Sequence, residues 1–240
     1  PFFQADDGIR DRVSCLVGSE MCIRDRAWVL EGGIVAIAHV RGGGEKGNDW
    51  HMGGFKTTKP NTWKDLIACT EYLIKNKYSS PDYIVNRGVS AGGISVGRSI
   101  IERPDLYAVA IMESPSLNLL RSEFQPNGPN NIPEFGSIKD SIEFKALLEM
   151  DSYHQLEANG EYPAIMVNVG MKDGQVPSWD PGKFIARLQN MTNSKKPALM
   201  SVLYESGHVG DGTLKGYYSN IASLYAFALW QTGHPDFQPE

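Results

Sequence analysis

The segment Gly88–Gly93, GVSAGG, lies between an apolar stretch with strand character, residues 83–87, and a stretch with helical character, residues 94–102. The pattern G-x-S-x-G at such a junction is typical of a serine on a sharp strand-to-helix turn. The glycines of the pattern allow the turn, which raises the Ser90 hydroxyl above the sheet and aims the backbone N–H of Ala91 at a developing oxyanion. Taken alone, the motif is equally compatible with a glycine-rich turn that has no activity.

Two further residues with catalytic chemistry follow Ser90 along the chain. Asp173 comes shortly after the apolar stretch 164–169, and His208 lies between glycines after the stretch 199–204. Serine, then acid, then histidine is the chain order of the triad in α/β-hydrolases. Because a serine hydroxyl is a weak nucleophile at neutral pH, it needs a nearby base and an acid that orients the base. The sequence therefore predicts that Ser90, His208 and Asp173 converge.

Each of these assignments has a competitor. The other histidines, at positions 39, 51, 154 and 234, lie where packing or solvent exposure is the default interpretation. Asp173 precedes a glycine, so a role as a turn residue is the alternative for it. Asp180 is the competing acid, but the sequence places it on or near the following helix.

Short apolar stretches alternate with stretches of helical periodicity along most of the chain. This alternation predicts an α/β fold with a mostly parallel sheet and helices on both faces. The predicted strands are residues 33–40, 83–87, 107–112, 164–169 and 199–204. The predicted helices are residues 62–75, 94–102, 142–150, 177–188 and 214–230. Residues 124–135 contain three prolines, which predicts an irregular surface loop.

Composition restricts the classes of protein that need to be considered. The chain has 240 residues, of which 41% are hydrophobic, and a net charge of −5 at pH 7. These values suit one soluble domain and argue against a nucleic-acid or membrane partner, since both select clustered Lys and Arg. The three cysteines and the loop motifs predict no disulfide framework, no metal site and no cofactor. The compartment, cytoplasm or periplasm, and the oligomeric state are left open.

Residues 1–26 do not follow the alternating pattern. The tetrapeptide IRDR occurs at 9–12 and again at 23–26, and residues 14–26 resemble a translated adapter sequence. We interpret residues 1–26 as an irregular or artefactual segment and residues 27–240 as the catalytic domain. A genuine irregular segment is the alternative for residues 1–26.

The motifs together resemble the prolyl oligopeptidase family of serine peptidases, over residues 27–233. The matching stretches are RGGGE at 41–45, WH at 50–51, TKPNTW at 58–63, GVSAGG at 88–93, ERPDL at 102–106, EFG at 134–136, DGQVP at 173–177 and GH at 207–208. The resemblance implies an α/β-hydrolase fold and the hydrolysis of oligopeptides through an acyl-enzyme. It also implies that Ser90 is the nucleophile, His208 the base and Asp173 the orienting acid.

The chain departs from the family pattern in its length and in its oxyanion donors. Members of the family carry a β-propeller over the active site, for which 240 residues leave no room, so we expect a fragment of a longer protein. The family's second oxyanion donor is a tyrosine upstream of the stretch 33–40, whereas no tyrosine precedes Tyr72 here. Since the loss of one such donor lowers the rate by roughly 10²- to 10³-fold, an inactive fragment is one alternative.

The substrate pocket departs from the family as well. The resemblance places Asn131 where the family has a tryptophan that stacks on proline, and Gln175 where it has a substrate-binding arginine. Glutamine still donates to a peptide carbonyl, but the bond is no longer charge-assisted. Phe135, Val176 and Trp179 are the predicted pocket-lining residues, and each is equally well explained as core. We therefore do not expect strict proline specificity, and an esterase or acylaminoacyl hydrolase is the other enzymatic alternative.

Overall fold

A computed structural model describes residues 25–208 and 213–239, in two units, residues 1–37 and 38–240. In the first unit, residues 25–30 are helical and residues 33–37 are irregular. The predicted strand at 33–40 is therefore wrong, and Ile34 is 57% exposed. Apolar composition favours burial, but a strand forms only where a neighbouring backbone supplies hydrogen bonds. The interpretation of residues 1–24 lies outside the described residues, and the boundary at 26/27 stays a prediction.

The second unit contains the regular structure that positions the site. Its strands are β1 (Val85–Val89), β2 (Val109–Glu113), β3 (Ala164–Gly170) and β4 (Ala198–Leu203). Its described α-helices are α1 (Asn48–Met52), α2 (Pro60–Lys75), α3 (Gly92–Glu102), α4 (Gly128–Phe135), α5 (Ser141–Met150), α6 (Ser152–Gln155), α7 (Trp179–Met191) and α8 (Leu214–Gln231). Four predicted strands and all five predicted helices are present, with ends shifted by a few residues.

The four strands form one parallel sheet in the order β1-β2-β3-β4. Parallel neighbours that follow each other along the chain need a crossover, which α3 supplies between β1 and β2, and α7 between β3 and β4. All carboxyl ends of the strands therefore lie at one edge of the sheet. The loops that begin after β1, β3 and β4 meet there.

Helices cover both faces of this sheet. On one face, strand residues Ala110 and Val167 belong to a buried cluster with Ile94 from α3 and Phe184 from α7. Burying a side chain of this size contributes about 1.5–3 kcal/mol. Ile111 is also buried but points to the opposite face because successive strand residues alternate. Helix α8 packs against β2 and β3 and contributes buried apolar residues of its own. The predicted α/β architecture is confirmed.

Helix α4 occupies most of the segment for which an irregular loop was predicted, so that prediction is wrong. Pro129 lies in the first turn of the helix. A proline is tolerated there because backbone N–H groups of the first turn make no hydrogen bond within the helix. Pro133 lies inside the helix and removes one hydrogen bond. Phe135 ends the helix and is buried in the core. Tertiary packing thus outweighs the local preference of the prolines.

Candidate active site

Ser90 lies one residue past the end of β1 with a backbone φ of 55°. Residues other than glycine rarely adopt this left-handed conformation, and it persists only where the surroundings enforce it. The Ser90 N–H donates to the Glu113 carbonyl at 2.9 Å, and the Ser90 carbonyl accepts from the N–H groups of Gly93 at 2.9 Å and Ser116 at 3.1 Å. The turn predicted from GVSAGG is therefore held by three backbone hydrogen bonds.

Glycine is required at two positions of this turn. A Cβ at Gly88 would lie 2.7 Å from the Gly92 carbonyl oxygen and from Val96 Cγ2. A Cβ at Gly93 would lie 2.3 Å from Pro115 Cβ. Gly92 differs, because a Cβ there would have no heavy atom within 4 Å. The steric need for glycine thus falls on Gly88 and Gly93, whereas the pattern alone suggested Gly88 and Gly92.

Asp173 lies in the loop after β3, and its side chain is fully buried. Its Oδ1 accepts from the backbone N–H groups of Gln175 at 2.8 Å and Val176 at 2.9 Å. Its Oδ2 lies 2.8 Å from Nδ1 of His208. Asp173 is therefore both a turn residue and a partner of the imidazole, so the two alternatives considered for it coexist. These bonds satisfy a buried carboxylate that would otherwise be costly.

The loop after β4 carries His208 to the same edge of the sheet. Gly170, at the end of β3, allows the two loops to touch, since a Cβ there would lie 2.2 Å from the Gly207 carbonyl oxygen. Nε2 of His208 lies 2.9 Å from Oγ of Ser90. The structure thus brings the three predicted side chains together in one hydrogen-bonded chain.

The competing residues lie elsewhere. Asp180 is fully buried on α7, where its carboxylate accepts from the backbone N–H groups of Leu117 and Asn118, both at 3.0 Å. Burial raises the pKa of Asp180 to about 6. The other histidines contact different acids or their own turn: His39 with Glu45, His51 with Glu134, His154 with Asp151, and His234 with Asp236 N–H.

The residue after Ser90, Ala91, is the candidate oxyanion donor. Ala91 is the N-cap of α3, and its N–H finds no acceptor among the described residues. The amino end of a helix carries partial positive charge, which favours an anion there. An unpaired N–H at this point is what the stabilisation of an oxyanion requires.

Three predicted substrate residues lie in or just after the Asp173 loop. Gln175 is exposed, its backbone N–H is bonded to Asp173, and its side chain has no hydrogen-bond partner among the described residues. Val176 is buried. Trp179 is 44% exposed, and the Lys183 ammonium lies 5.7 Å from its ring centroid. Of these three, Gln175 and Trp179 are accessible to a ligand.

The other two predicted substrate residues lie on α4. Nδ2 of Asn131 donates to the Ser122 carbonyl at 3.1 Å, so this side chain is partly engaged in holding the preceding segment. Phe135 is buried in the main core, with the Lys59 ammonium 5.2 Å from its ring centroid. The structure therefore places Phe135 as a core residue, in line with the alternative considered for it.

Sequence reasoning missed the residues whose backbone groups hold Ser90 in place. Glu113 and Ser116 act through backbone groups, and any residue type other than proline supplies those. The Glu113 side chain pairs with Arg87 on the neighbouring strand, with Arg87 Nε 2.8 Å from Oε1. The opposite charges were visible in the sequence, but their register was not.

Residues 25–208 and 213–239 contain neither a candidate membrane span nor a candidate metal site. No helix there combines the length and apolar character needed to cross a membrane. No cluster of three or more His, Cys, Asp or Glu side chains suited to a metal ion occurs in the same residues. Cys69 is exposed and free, and the other two cysteines lie outside the described residues.

Comparison with known proteins places this arrangement in a family. The family model described as the prolyl oligopeptidase family matches residues 24–235. The chain is 36% identical over 207 residues to a prolyl endopeptidase of Elizabethkingia miricola, which covers 86% of this chain and 29% of the relative. It is 34% identical over 209 residues to dipeptidyl aminopeptidase BI of Pseudoxanthomonas mexicana, with 85% and 29% covered.

Solved structures agree with these relatives. Oligopeptidase B from Leishmania major matches with a TM-score of 0.85 and 30% identity, over 88% of this chain and 30% of that structure. The predicted α/β-hydrolase fold is thereby confirmed. The chain spans less than a third of the length of the relatives that it matches. The chain belongs to the prolyl oligopeptidase family.

Proposed function

We propose that this chain carries the catalytic machinery of a serine-type oligopeptidase, which hydrolyses peptide bonds through an acyl-enzyme. The observation that carries the proposal is the hydrogen-bonded chain from Ser90 Oγ through His208 to Asp173. Membership of the prolyl oligopeptidase family supports peptides as the substrate class, since its relatives here are named endopeptidase and dipeptidyl aminopeptidase.

Acylation begins when Oγ of Ser90 attacks the carbonyl carbon of the scissile peptide bond. Nε2 of His208 takes the Oγ proton, and Asp173 stabilises the resulting imidazolium through Nδ1. The carbonyl oxygen becomes an oxyanion that the Ala91 N–H receives. The tetrahedral intermediate then collapses with cleavage of the C–N bond, and His208 passes its proton to the leaving amine. The amino-terminal half of the substrate, which contributed the carbonyl carbon, remains as an ester on Ser90.

Deacylation repeats the steps with water as the nucleophile. His208 takes a proton from the water as its oxygen attacks the ester carbonyl, and the Ala91 N–H again receives the oxyanion. The bond between Oγ and the acyl carbon breaks, and His208 returns its proton to Ser90. The net reaction is hydrolysis of one peptide bond, and no redox partner is needed.

The predicted pocket residues give this oligopeptidase a broad preference. Gln175 donates to a substrate carbonyl from the Asp173 loop, and Trp179 offers an exposed aromatic face. Val176 and Phe135 are both buried, so in this proposal they support the pocket as core residues rather than by direct contact with the substrate. Asn131 replaces the aromatic ring that would stack on proline, so selection for proline is weak in this proposal.

A serine-reactive fluorophosphonate probe tests the first half of the proposal. We expect covalent labelling at Ser90, mapped by mass spectrometry, in folded protein and none in Ser90→Ala. Ser223→Ala is the matched control, because Ser223 is exposed and its hydroxyl donates to the Ser219 carbonyl of its own helix. A folded sample in which Ser90 stays unlabelled contradicts the hydrolase assignment.

Paired substrates test the second half. We expect cleavage of a Gly-Pro anilide and of other dipeptide anilides, with all of it lost in Ser90→Ala. Hydrolysis of a p-nitrophenyl ester without any cleavage of anilides or peptides would instead identify an esterase. That outcome overturns the peptidase proposal even where labelling at Ser90 succeeds.

A further inference from the structure

Segment 113–118 forms hydrogen bonds to the backbone of Ser90. It begins with the Glu113 carbonyl, which accepts from Ser90 N–H at 2.9 Å, and its Ser116 N–H donates to the Ser90 carbonyl at 3.1 Å. Both backbone groups of Ser90 are therefore bonded to this one segment. Any displacement of segment 113–118 moves the backbone that carries the Ser90 hydroxyl.

The Asp180 side chain holds the far end of this segment. Its Oδ1 accepts from the backbone N–H groups of Leu117 and Asn118, both at 3.0 Å, and its Oδ2 accepts from Nε2 of Gln125 at 2.6 Å. Asp180 is fully buried, so these bonds are not exchanged with water. One carboxylate thus fixes two successive backbone groups directly after the residue that bonds Ser90.

Asp180 is also tied to the loop that carries the catalytic acid. Its own N–H donates to the Pro177 carbonyl at 2.9 Å, and the loop continues from there back to Val176, whose N–H donates to Asp173. The same residue therefore joins the support of Ser90 to the support of Asp173. Through Asp173 the connection reaches His208, because Oδ2 of Asp173 bonds the imidazole.

We propose that Asp180 is a positioning residue, whose carboxylate sets the distance between Ser90 and the Asp173–His208 pair by fixing segment 113–118 to the loop 173–180. The inference rests on the proposed hydrolase function, in which that distance determines the rate of acylation. A displacement on the order of 1 Å in such a geometry lowers a rate by about 10²-fold.

The groups around Asp180 indicate that it positions segment 113–118 through the hydrogen bonds that its oxygens accept, and not through its negative charge. The negative charge of Asp151 raises the pKa of Asp180 in addition to burial. Asp151 itself pairs with His154, and the Lys183 ammonium bonds Asn118 Oδ1 at 2.9 Å instead of the Asp180 carboxylate. Asp180 therefore has no cation as a hydrogen-bonded partner among the described residues.

Gln125 allows a neutral side chain at position 180. Oε1 of Gln125 is buried and has no hydrogen-bond partner among the described residues. If Asp180 is replaced by Asn, the Gln125 amide can turn so that this oxygen accepts from the new amide nitrogen. The Asn oxygen keeps the two bonds from the backbone at Leu117 and Asn118. Asp180→Asn is thus the variant that removes charge and preserves position.

The test compares this variant with two that shorten the side chain, Asp180→Ala and Asp180→Ser. Saturation kinetics with the fluorophosphonate probe separate the rate of Ser90 modification from the affinity for the probe. We expect the maximal rate to fall by about 10- to 100-fold in both shortened variants while affinity changes little. Asp180→Asn is expected to keep the maximal rate within about 3-fold of the parent chain.

Asp151→Ala is the matched control. Asp151 is equally buried and accepts from Asn118 Nδ2 and Leu120 N–H, but among the described residues it has no hydrogen bond to the Asp173 loop. Circular dichroism and thermal unfolding report the stability of each variant. We expect Asp151→Ala to lose stability like Asp180→Ala and yet to label Ser90 at close to the parent rate.

The outcomes separate this proposal from the proposed function. An unlabelled parent chain refutes the hydrolase assignment and this inference with it. A labelled parent, together with equal loss of rate in Asp180→Ala and Asp151→Ala, overturns the positioning role alone. If Asp180→Ala does not fold, Asp180→Ser and Asp180→Asn decide the question, and equal rates in those two variants contradict the proposal.

Discussion

Nε2 of His208 lies 2.9 Å from Oγ of Ser90, although 118 positions separate the two residues along the chain. The contact arises because β1 and β4 are parallel and end at the same edge of the sheet. The other ring nitrogen of His208 is held by Asp173, which orients the imidazole toward the hydroxyl. The position of the base is thus a consequence of strand direction, and its orientation a consequence of one carboxylate.

Asp173→Asn tests that orientation. The Asn oxygen still accepts from the backbone N–H groups, but its amide nitrogen donates toward Nδ1 and favours the tautomer with its proton on Nε2. That tautomer cannot accept the Ser90 proton, so we expect kcat/KM on a peptide anilide to fall by about 10⁴-fold. Asp180→Asn is the control for replacing a buried carboxylate. A loss below about 10-fold in Asp173→Asn would show that Asp173 does not orient the base.

Gly93→Ala tests the close packing between the Ser90 turn and Pro115. The new Cβ would lie 2.3 Å from Pro115 Cβ, so the turn or the loop must move. We expect the free energy of unfolding, measured by urea titration, to fall by about 1–3 kcal/mol. Gly92→Ala is the matched control because its Cβ meets no atom within 4 Å, and we expect it to be neutral or more stable. Equal losses in the two variants would contradict the steric interpretation.

The raised pKa of Asp180 predicts the sign of one pH effect on stability. Its pKa is about 6 in the folded chain against 3.8 for an ordinary aspartate, so the folded state binds this proton more tightly than the unfolded state. The stability that this group contributes is therefore complete when the pH is below the pKa of Asp180 in the unfolded state. It declines as the pH rises through the pKa of Asp180 in the folded state. The shift corresponds to about 3 kcal/mol in total.

Asp180→Asn isolates this contribution, because the amide does not titrate. Urea unfolding of the parent chain and the variant between pH 4 and pH 7 gives the difference between their free energies of unfolding. We expect the parent to lose stability relative to Asp180→Asn as the pH rises across this window. A parent that gains relative stability with rising pH would show that the pKa is lowered instead.

Gln175→Arg tests the substrate side of the Asp173 loop. Gln175 is exposed, and an arginine there would make a charge-assisted bond to a substrate carbonyl. We expect KM for peptide anilides to fall by roughly 3- to 10-fold. We expect little change in kcat, because the new bond stabilises the bound substrate and the transition state equally. Asn190→Arg, which adds the same charge at an exposed position on α7, is the control. An equal effect in both variants would point to general electrostatic attraction.

The centre of the sheet could be predicted because its two central strands, β2 and β3, are buried on both faces. The stretches that became β2 and β3 are nearly continuous in apolar residues, as expected where helices cover both sides of a parallel sheet. The stretch 33–40 has the same composition but forms no strand, since composition does not identify a pairing partner. Helix α4 was missed for the opposite reason, because its prolines suggested a loop while Phe135 is held in the core.

What the amino-acid sequence determined by itself is the chemistry and its order: a serine on a glycine turn, then an acid, then a histidine, each after an apolar stretch. The sequence favoured Asp173 and kept Asp180 as a competing acid, and the tertiary structure decided what each carboxylate contacts. Only the folded loops show that Asp173 meets the imidazole whereas Asp180 meets the backbone of Leu117 and Asn118. The physical reason is that hydrogen bonds depend on distances of about 3 Å, which follow from the packing of segments far apart in the chain.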